Sequence, residues 1–353
     1  MTDAEIHWRD DRSGQVISRS SRPSEQTLSL LRETVWGSRD TRYRVLGIGE
    51  KLSRLRDPSF FVLSENGTEL CVFVLDHCHK SIKGQVCGAY HFVMAATRPD
   101  RRDLGLATRM IDVIRPYAEK TVGRPGLGFA YVEETTEISL KISEHAGHSV
   151  ESDISLQLFS RLIPARDDRA GAIRDTEHRV VLRGLEQLYS DHELADFEAS
   201  FRPEETRVIR RDGQAIASVQ VEPLNWEVVS MPGFRGRLLL DVLPHVPGWN
   251  RLLDLRNLKV LRFGNVFFRQ GEAAEFFALA ESCLAENHAR IGLVMLDRNS
   301  SVLHSLRQSG DFGLLSRAMR GNAKLHVDTI FMDDALVERL KATPLLVSPA
   351  DVF

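Results

Sequence analysis

Thr97-Arg98-Pro99-Asp100-Arg101-Arg102-Asp103-Leu104-Gly105-Leu106-Ala107-Thr108 joins an apolar, strand-like run (residues 89–96) to an amphipathic stretch. Downstream, Ala107, Met110, Ile111, Ile114, Tyr117 and Ala118 keep helical spacing, the stripe that seats a helix on a sheet, with Pro116 expected to kink the last turn. A helix start carries unpaired backbone N–H groups and the positive end of a dipole, so Leu104, Gly105, Leu106, Ala107 and Thr108 are expected to aim amides at a phosphate. Gly105 lets the ligand approach the chain closely.

Working outward, residues 23–36 start with a Ser24 cap and read as a helix, and residues 43–56 as a second, short one. Phe60–Leu63, Asn66-Gly67 and Leu70–Leu75 form a hairpin signal, because Asn-Gly accepts the positive φ angles of a tight turn. After the motif helix come a Gly-rich loop (123–128), a strand (129–132), a helix (137–145) ended by Gly147, and a strand pair near 149–159.

The pattern Thr97-x-Pro99-x-x-Arg102-x-x-Gly105-x-Ala107, between strand and helix, resembles the acyl-CoA binding motif of the GNAT superfamily of N-acyltransferases, Val-x-Pro-x-x-Arg-x-x-Gly-x-Gly/Ala. Thr97 is its one departure. The element order over residues 23–162 is similar to that family as well. The resemblance implies an α/β (α+β) fold with a mixed, mostly antiparallel central sheet flanked by helices. It implies acetyl-CoA or another acyl-CoA as substrate, held through Ala95, Thr97, Arg102, Asp103, Leu104, Gly105, Leu106, Ala107 and Thr108, with the pantetheine arm at the splayed end of the preceding strand. It further implies a Tyr general acid before a Gly-Phe pair; here Ser143 holds the Tyr position and His148 the Phe position.

Transfer of an acyl group to an amine needs a group that takes a proton and donors that polarise the thioester carbonyl. Glu133 and Glu134 fall at the C-terminal end of the strand 129–132, the edge where open α/β sheets place ligands, and alternation turns one of them to the cleft. His91, in the strand before the motif, is the alternative base. Backbone N–H groups around residues 93–95 are the candidate holders of the thioester oxygen.

At 353 residues the chain is expected to hold two domains. Residues 163–176, polar with Pro164 and Gly171, read as a linker, giving 1–162 as the acyl-CoA domain and 177–353 as a second, degenerate GNAT-like domain. In that half a hairpin (207–221, turning at Asp212-Gly213), strand 260–268, helix 273–287, strand 291–296, helix 300–309 and strand 323–332 repeat the order. Its motif position reads Phe268-Arg269-Gln270-Gly271-Glu272-Ala273, where Glu272 places a carboxylate against any phosphate, so no CoA is expected there. The second half is read as retained for stability and for domain or homodimer packing, with Asp297–Ser301 as a candidate pocket lining.

Composition is that of a globular protein, 42% hydrophobic and 27% charged, and a net charge of −3 gives no basis for general nucleic-acid binding. The polar N-terminus and the lack of a long apolar run predict a cytoplasmic protein without a membrane span. No disulfide is expected among Cys71, Cys78, Cys87 and Cys283, and Asp76-His77-Cys78-His79 reads as a hairpin end rather than a metal site, since alternation splits its side chains between two faces. Two readings stay open: an enzyme moving an acyl group to an amine on a small molecule or a protein, and a non-catalytic acyl-CoA binding or interaction module.

Overall fold

The computed structural model describes residues 4–37, 41–134, 136–147, 149–231, 254–313 and 321–351, with single positions at 233, 236, 240, 245 and 316. Its main elements are β1 (Glu5–Asp10), β2 (Gln15–Ser20), α1 (Glu25–Glu33), β3 (Arg42–Val45), α2 (Ile48–Leu52), β4 (Pro58–Glu65), β5 (Thr68–Ile82), β6 (Gln85–Thr97), α3 (Leu106–Val122), β7 (Gly126–Glu133), α4 (Glu137–His145), β8 (Val150–Ser160), β9 (Ala170–Ala172), α5 (Asp175–Leu188), α6 (Phe197–Ser200), β10 (Thr206–Arg211), β11 (Gln214–Ser230), β12 (Leu258–Phe268), α7 (Ala273–Glu286), β13 (Ile291–Asp297), α8 (Ser301–Ser309) and β14 (Gly321–Ile330).

They form two compact units, one from residues 1–151 with 324–341, the other from 152–323 with 342–352. In the first unit the strand order is β1-β2-β4-β5-β6-β7-β14, antiparallel from β1 to β6 and parallel between β6 and β7. Asn66 and Gly67 (φ 49° and 80°) make the β4–β5 turn that their residue types call for. The sheet is apolar on both faces. On one, Phe61, Leu63, Phe73, Leu75 and Tyr90 pack against Leu106, Met110, Ile111 and Ile114 of α3; on the other, Phe60, Val62, Val72, Val74 and Met94 pack against Leu30, Leu31, Ile48 and Leu52 of α1 and α2. Each fully buried large side chain of this kind stabilises the unit by about 2 kcal/mol. Helix α1 starts where expected: Ser24 Oγ accepts from Thr27 N at 2.9 Å.

Four local readings change. The helix expected over 43–56 is only Ile48–Leu52, because Arg42-Tyr43-Arg44-Val45 is extended and Gly47, left-handed at φ 72°, sets the helix start. The 149–159 stretch is one strand, not a pair. Asp76–His79 lies inside β5, which runs on to Ile82 and turns at Lys83-Gly84; the expected hairpin end is there instead. Pro116 sits inside a helix that continues to Val122.

In the second unit the order is β8-β13-β12-β11-β10-β9, with β12 and β13 parallel and the other pairs antiparallel. Residues 170–172, inside the stretch read as a linker, pair with β10. Asp212 and Gly213 (φ 51° and 74°) make the β10–β11 turn. The core of this unit joins Val181 and Leu185 of α5, Phe276, Leu279 and Ala280 of α7, and Leu303 of α8 to the sheet.

Candidate acyl-CoA site

The motif forms a turn with two left-handed residues. After Thr97 ends β6, Pro99–Arg101 make one 3-10 turn, Asp103 has φ 62° and Gly105 φ 70°, and α3 follows at once. Gly105 is the helix N-cap, no side chain caps it, and the first intrahelical bond is Arg109 N to Gly105 O at 3.1 Å. The amides of Leu106, Ala107 and Thr108 therefore have no partner inside the helix, and the first turn carries no acidic residue. Leu106 is buried as the anchor on the sheet, Ala107 is half-buried, and Arg102, Asp103, Leu104, Gly105 and Thr108 are exposed. A Cβ placed on Gly105 meets no atom within 4 Å. Neighbouring cations are held elsewhere: Arg101 pairs with Glu65 at 3.3 Å, Arg98 with Asp100 at 3.0 Å, and Arg109 binds Gln15 and covers the Trp8 ring. An uncapped helix start, clear of carboxylates in its first turn and open in front, fits a diphosphate.

Beside this turn the sheet opens. Strands β6 and β7 pair from Gly88↔Gly126 to Phe92↔Ala130, yet β6 runs on to Thr97 and β7 to Glu133. β6 stays with β5, and the register slips between Leu75↔Phe92 and Val74↔Met94, leaving Val93 as an extra residue. Such a bulge bends and twists its strand, which accounts for the parting of β6 from β7. Ala95, opposite Phe73 and thus on the α3 face, is exposed, while Thr97 is half-buried and its hydroxyl lies 3.2 Å from Cys71 Sγ. The residues expected to contact the cofactor thus run from the free end of β6, at Ala95 and Thr97, through the turn to the first residues of α3.

The three candidate bases are not brought together. His91 is 3% exposed, opposite Asp76, and its ring stacks on Phe129 at 4.8 Å with Tyr131 edge-on at 5.8 Å. Glu133 lies on the same face as Phe129 but four residues further, about 13 Å along the strand. Its carboxylate accepts a hydrogen bond from the Tyr43 hydroxyl at 3.0 Å, and burial together with that carboxylate pushes the Tyr43 phenol well above its ordinary range. Glu134 is exposed in the turn after β7. Tyr43 lies in the stretch expected to be helical; the alternation of residues 42–45, extended in the structure, is the signal that points to it. The Asp76–His79 side chains divide as the pleat requires: Asp76 and Cys78 are buried, and His77 meets Tyr117 at 6.0 Å.

At the position where the resemblance implies a Tyr, Ser143 is buried in the last turn of α4 and hydrogen-bonds His326 of β14, Oγ to Nδ1, at 2.6 Å. His148 lies outside the described residues. In the second unit, the start of α7 is occupied by the chain's own charges. Glu272 is the N-cap residue, and Arg211 binds it at 2.5 Å and Glu275 at 2.7 Å. Asp297 is buried and accepts from Asn299 N at 2.8 Å and Leu345 N at 2.9 Å.

In the first unit, then, a mostly antiparallel sheet with helices on both faces has a parallel pair, β6–β7, that parts beside a glycine-started helix. The chain shares its fold with solved N-myristoyltransferase structures. Against Saccharomyces cerevisiae N-myristoyltransferase with bound myristoyl-CoA and inhibitors, the TM-score is 0.56 at 9% identity, covering 91% of this chain and 81% of that one. A second structure of that enzyme with bound myristoyl-CoA gives 0.52 at 9% identity, covering 88% and 78%. A GCN5-related N-acetyltransferase from Sphaerobacter thermophilus gives 0.46 at 13% identity, covering 80% and 84%. No family model matches the sequence, and no curated protein matches it. Among the described residues, no helix is long and apolar enough to cross a membrane.

Proposed function

We propose that this protein is an acyl-CoA-dependent N-acyltransferase whose first unit binds the thioester and moves its acyl group to an amine. The observation that carries this reading is the uncapped, left-handed start of α3 set beside the parting of β6 and β7. The amides of Leu106, Ala107 and Thr108, with the exposed Arg102, would hold the diphosphate, while Asp103, Leu104 and Gly105 shape the turn around it. The pantetheine arm would lie along β6 past Thr97 and Ala95, with the thioester carbonyl on amides of residues 93–95 left without a β7 partner. The solved N-myristoyltransferases carry myristoyl-CoA, which supports an acyl-CoA of some length as substrate; acetyl-CoA is the shortest member of the class.

On the α1–α2 face, Glu133 is the base or ammonium ligand we favour, because Tyr43 fixes its carboxylate at the end of β7. His91, deep in the sheet and stacked on Phe129, and Glu134, in the turn, are the alternatives. The acceptor is an amine on a small molecule or a protein. We also propose the tandem organisation, residues 1–162 and 177–353, with the second half binding no CoA because Glu272 and Glu275 already fill its helix start. A homodimer and a cytoplasmic site are part of the same reading.

The replacement of the Tyr by Ser143 favours a second reading, an acyl-CoA binding module without turnover. Thiol release from acetyl-CoA, read with a panel of amines, separates the two. Steady release with any amine supports the enzyme; tight CoA binding without release across amines and acyl lengths supports the module; no CoA binding refutes both.

A further inference from the structure

In the second unit, α5 crosses the end of β12 at a glycine. A Cβ on Gly184 would collide with the Phe267 ring, so the helix comes this close only because no side chain intervenes. Strand β12 has its last β13 partner at Phe263↔Val294, and the left-handed Asn265 (φ 45°) bulges it against β11 before Phe267. Between the free end of β12 and α5 opens a cleft of about 540 Å³, floored by Phe267, Gly184 and the exposed Val180. That volume is in the range of small-molecule sites.

Three guanidinium groups line this cleft: Arg179 and Arg183, one turn apart on α5, and Arg269, directly after β12. Other arginines of this unit are neutralised by carboxylates, Arg210 by Glu177, Arg211 by Glu272 and Glu275, Arg169 by Asp167 and Glu275. Among the described residues, Arg179 and Arg183 have no ion pair, and Arg269 has only the Gln214 amide oxygen, to which its Nη2 donates at 3.0 Å. The carboxylates of α5 lie elsewhere: Asp175 is 3.8 Å from His178, Glu177 is held by Arg210, and Glu186 is exposed outside the cleft. Neither α5 arginine stands in the last turn of the helix, where a cation complements the dipole, and like charges one turn apart repel. The helix therefore gains nothing from this pair unless an anion lies between them.

We propose that this cleft binds a phosphorylated small molecule, with the phosphoryl group on the guanidinium groups and the carbon body on the apolar floor. A phosphate monoester carries about 1.5–2 negative charges at pH 7 and three acceptor oxygens, enough to engage two or three guanidinium forks at once. A carboxylate, with one charge and two oxygens, satisfies one fork and leaves the others unneutralised. Arg179 and Arg183 hold the anion from the helix, and Arg269 holds it from the strand side, its guanidinium steadied by Gln214. Gln187, also in the lining, offers an amide that donates and accepts toward a polar group on the body. The site lies wholly within the second unit and stands whether or not the first unit binds acyl-CoA.

The test uses the full chain and calorimetry, with phenyl phosphate as the probe and inorganic phosphate and benzoate beside it. Phenyl phosphate is expected to bind at least about tenfold more tightly than either. Arg183→Gln should weaken it about 10- to 150-fold, and Arg179→Gln with Arg183→Gln should abolish it. Both side chains are exposed, so the melting temperature should stay within about 2 °C of the parent. Val180→Ser should weaken phenyl phosphate about three- to tenfold and leave inorganic phosphate unchanged. Arg256→Gln, an exposed arginine before the opposite end of β12, should leave all three unchanged, and the double variant should keep the parent's affinity for CoA. No binding of phenyl phosphate to the parent, benzoate or inorganic phosphate binding as tightly, or a folded double variant with undiminished affinity overturns the proposal. So does a double variant that loses CoA together with phenyl phosphate, since the arginines then belong to a CoA site. Failure of the parent to bind CoA while phenyl phosphate behaves as expected overturns the acyl-CoA reading alone.

Discussion

Gly105→Ala separates strain from ligand exclusion. Gly105 has φ 70°, a conformation that costs an L-residue about 1–2 kcal/mol, and the added methyl meets no atom within 4 Å. The stability loss should therefore be that strain alone, a fall in melting temperature of about 2–8 °C for a domain of this size. Binding should suffer more. The methyl enters the open space at the start of α3, where the diphosphate is proposed to meet the amides of Leu106, Ala107 and Thr108. Loss of one hydrogen bond to a charged group costs about 1.5–3 kcal/mol. Affinity for CoA, read by calorimetry, should drop by about 10- to 150-fold. Gly84→Ala is the control: φ 75°, equally open space, but in the β5–β6 turn. It should cost similar stability and leave CoA binding unchanged. A folded Gly105→Ala protein that binds CoA within threefold of the parent would refute the phosphate site.

Removing the Tyr43 hydroxyl in Tyr43→Phe takes the donor from Glu133; we expect a loss of about 1–2 kcal/mol in urea unfolding and a rise in KM for the amine with KM for acyl-CoA unchanged. If KM for both substrates moves equally, Glu133 does not face the amine. In the second unit, Arg210 grips the Glu177 carboxylate at 2.8 and 2.7 Å, the Arg174 N–H adds a third bond at 2.8 Å, and Arg210 first among these causes holds the carboxyl below its usual 4.5. A group depressed in the folded state stabilises above its unfolded pKa, and that contribution disappears as pH falls through the folded value. Glu177→Gln should therefore be less stable at pH 7 by about 1.5–3 kcal/mol, with the gap closing as pH drops from about 5 to 3; urea midpoints at both pH values that show a constant gap would contradict this.

The local elements were legible because their causes are local. Asn66-Gly67 and Asp212-Gly213 demand positive φ, Ser24 caps the amide three residues on, and the Pro99–Ala107 pattern places a glycine in a left-handed turn before an apolar helical stripe. Where two local signals compete, as in residues 42–56, periodicity favoured helix and the left-handed Gly47 together with strand pairing of Trp36 with Tyr43 gave another answer. Of the candidate bases, Glu133 closes β7 and Glu134 stands in the turn after it, and alternation had no means of naming Tyr43, 90 residues away, as the partner of Glu133.

The sequence by itself determined the turns, caps and amphipathic faces, and through them the kind of fold, since each rests on residues within a few positions of one another. Only the tertiary structure decided that β6 leaves β7 after Phe92, that β14 joins β7, and that Ser143 meets His326 across 183 residues of chain. Those contacts arise when a buried polar group or an open strand edge must find a hydrogen-bond partner, and the partner is whatever the folded sheet places beside it.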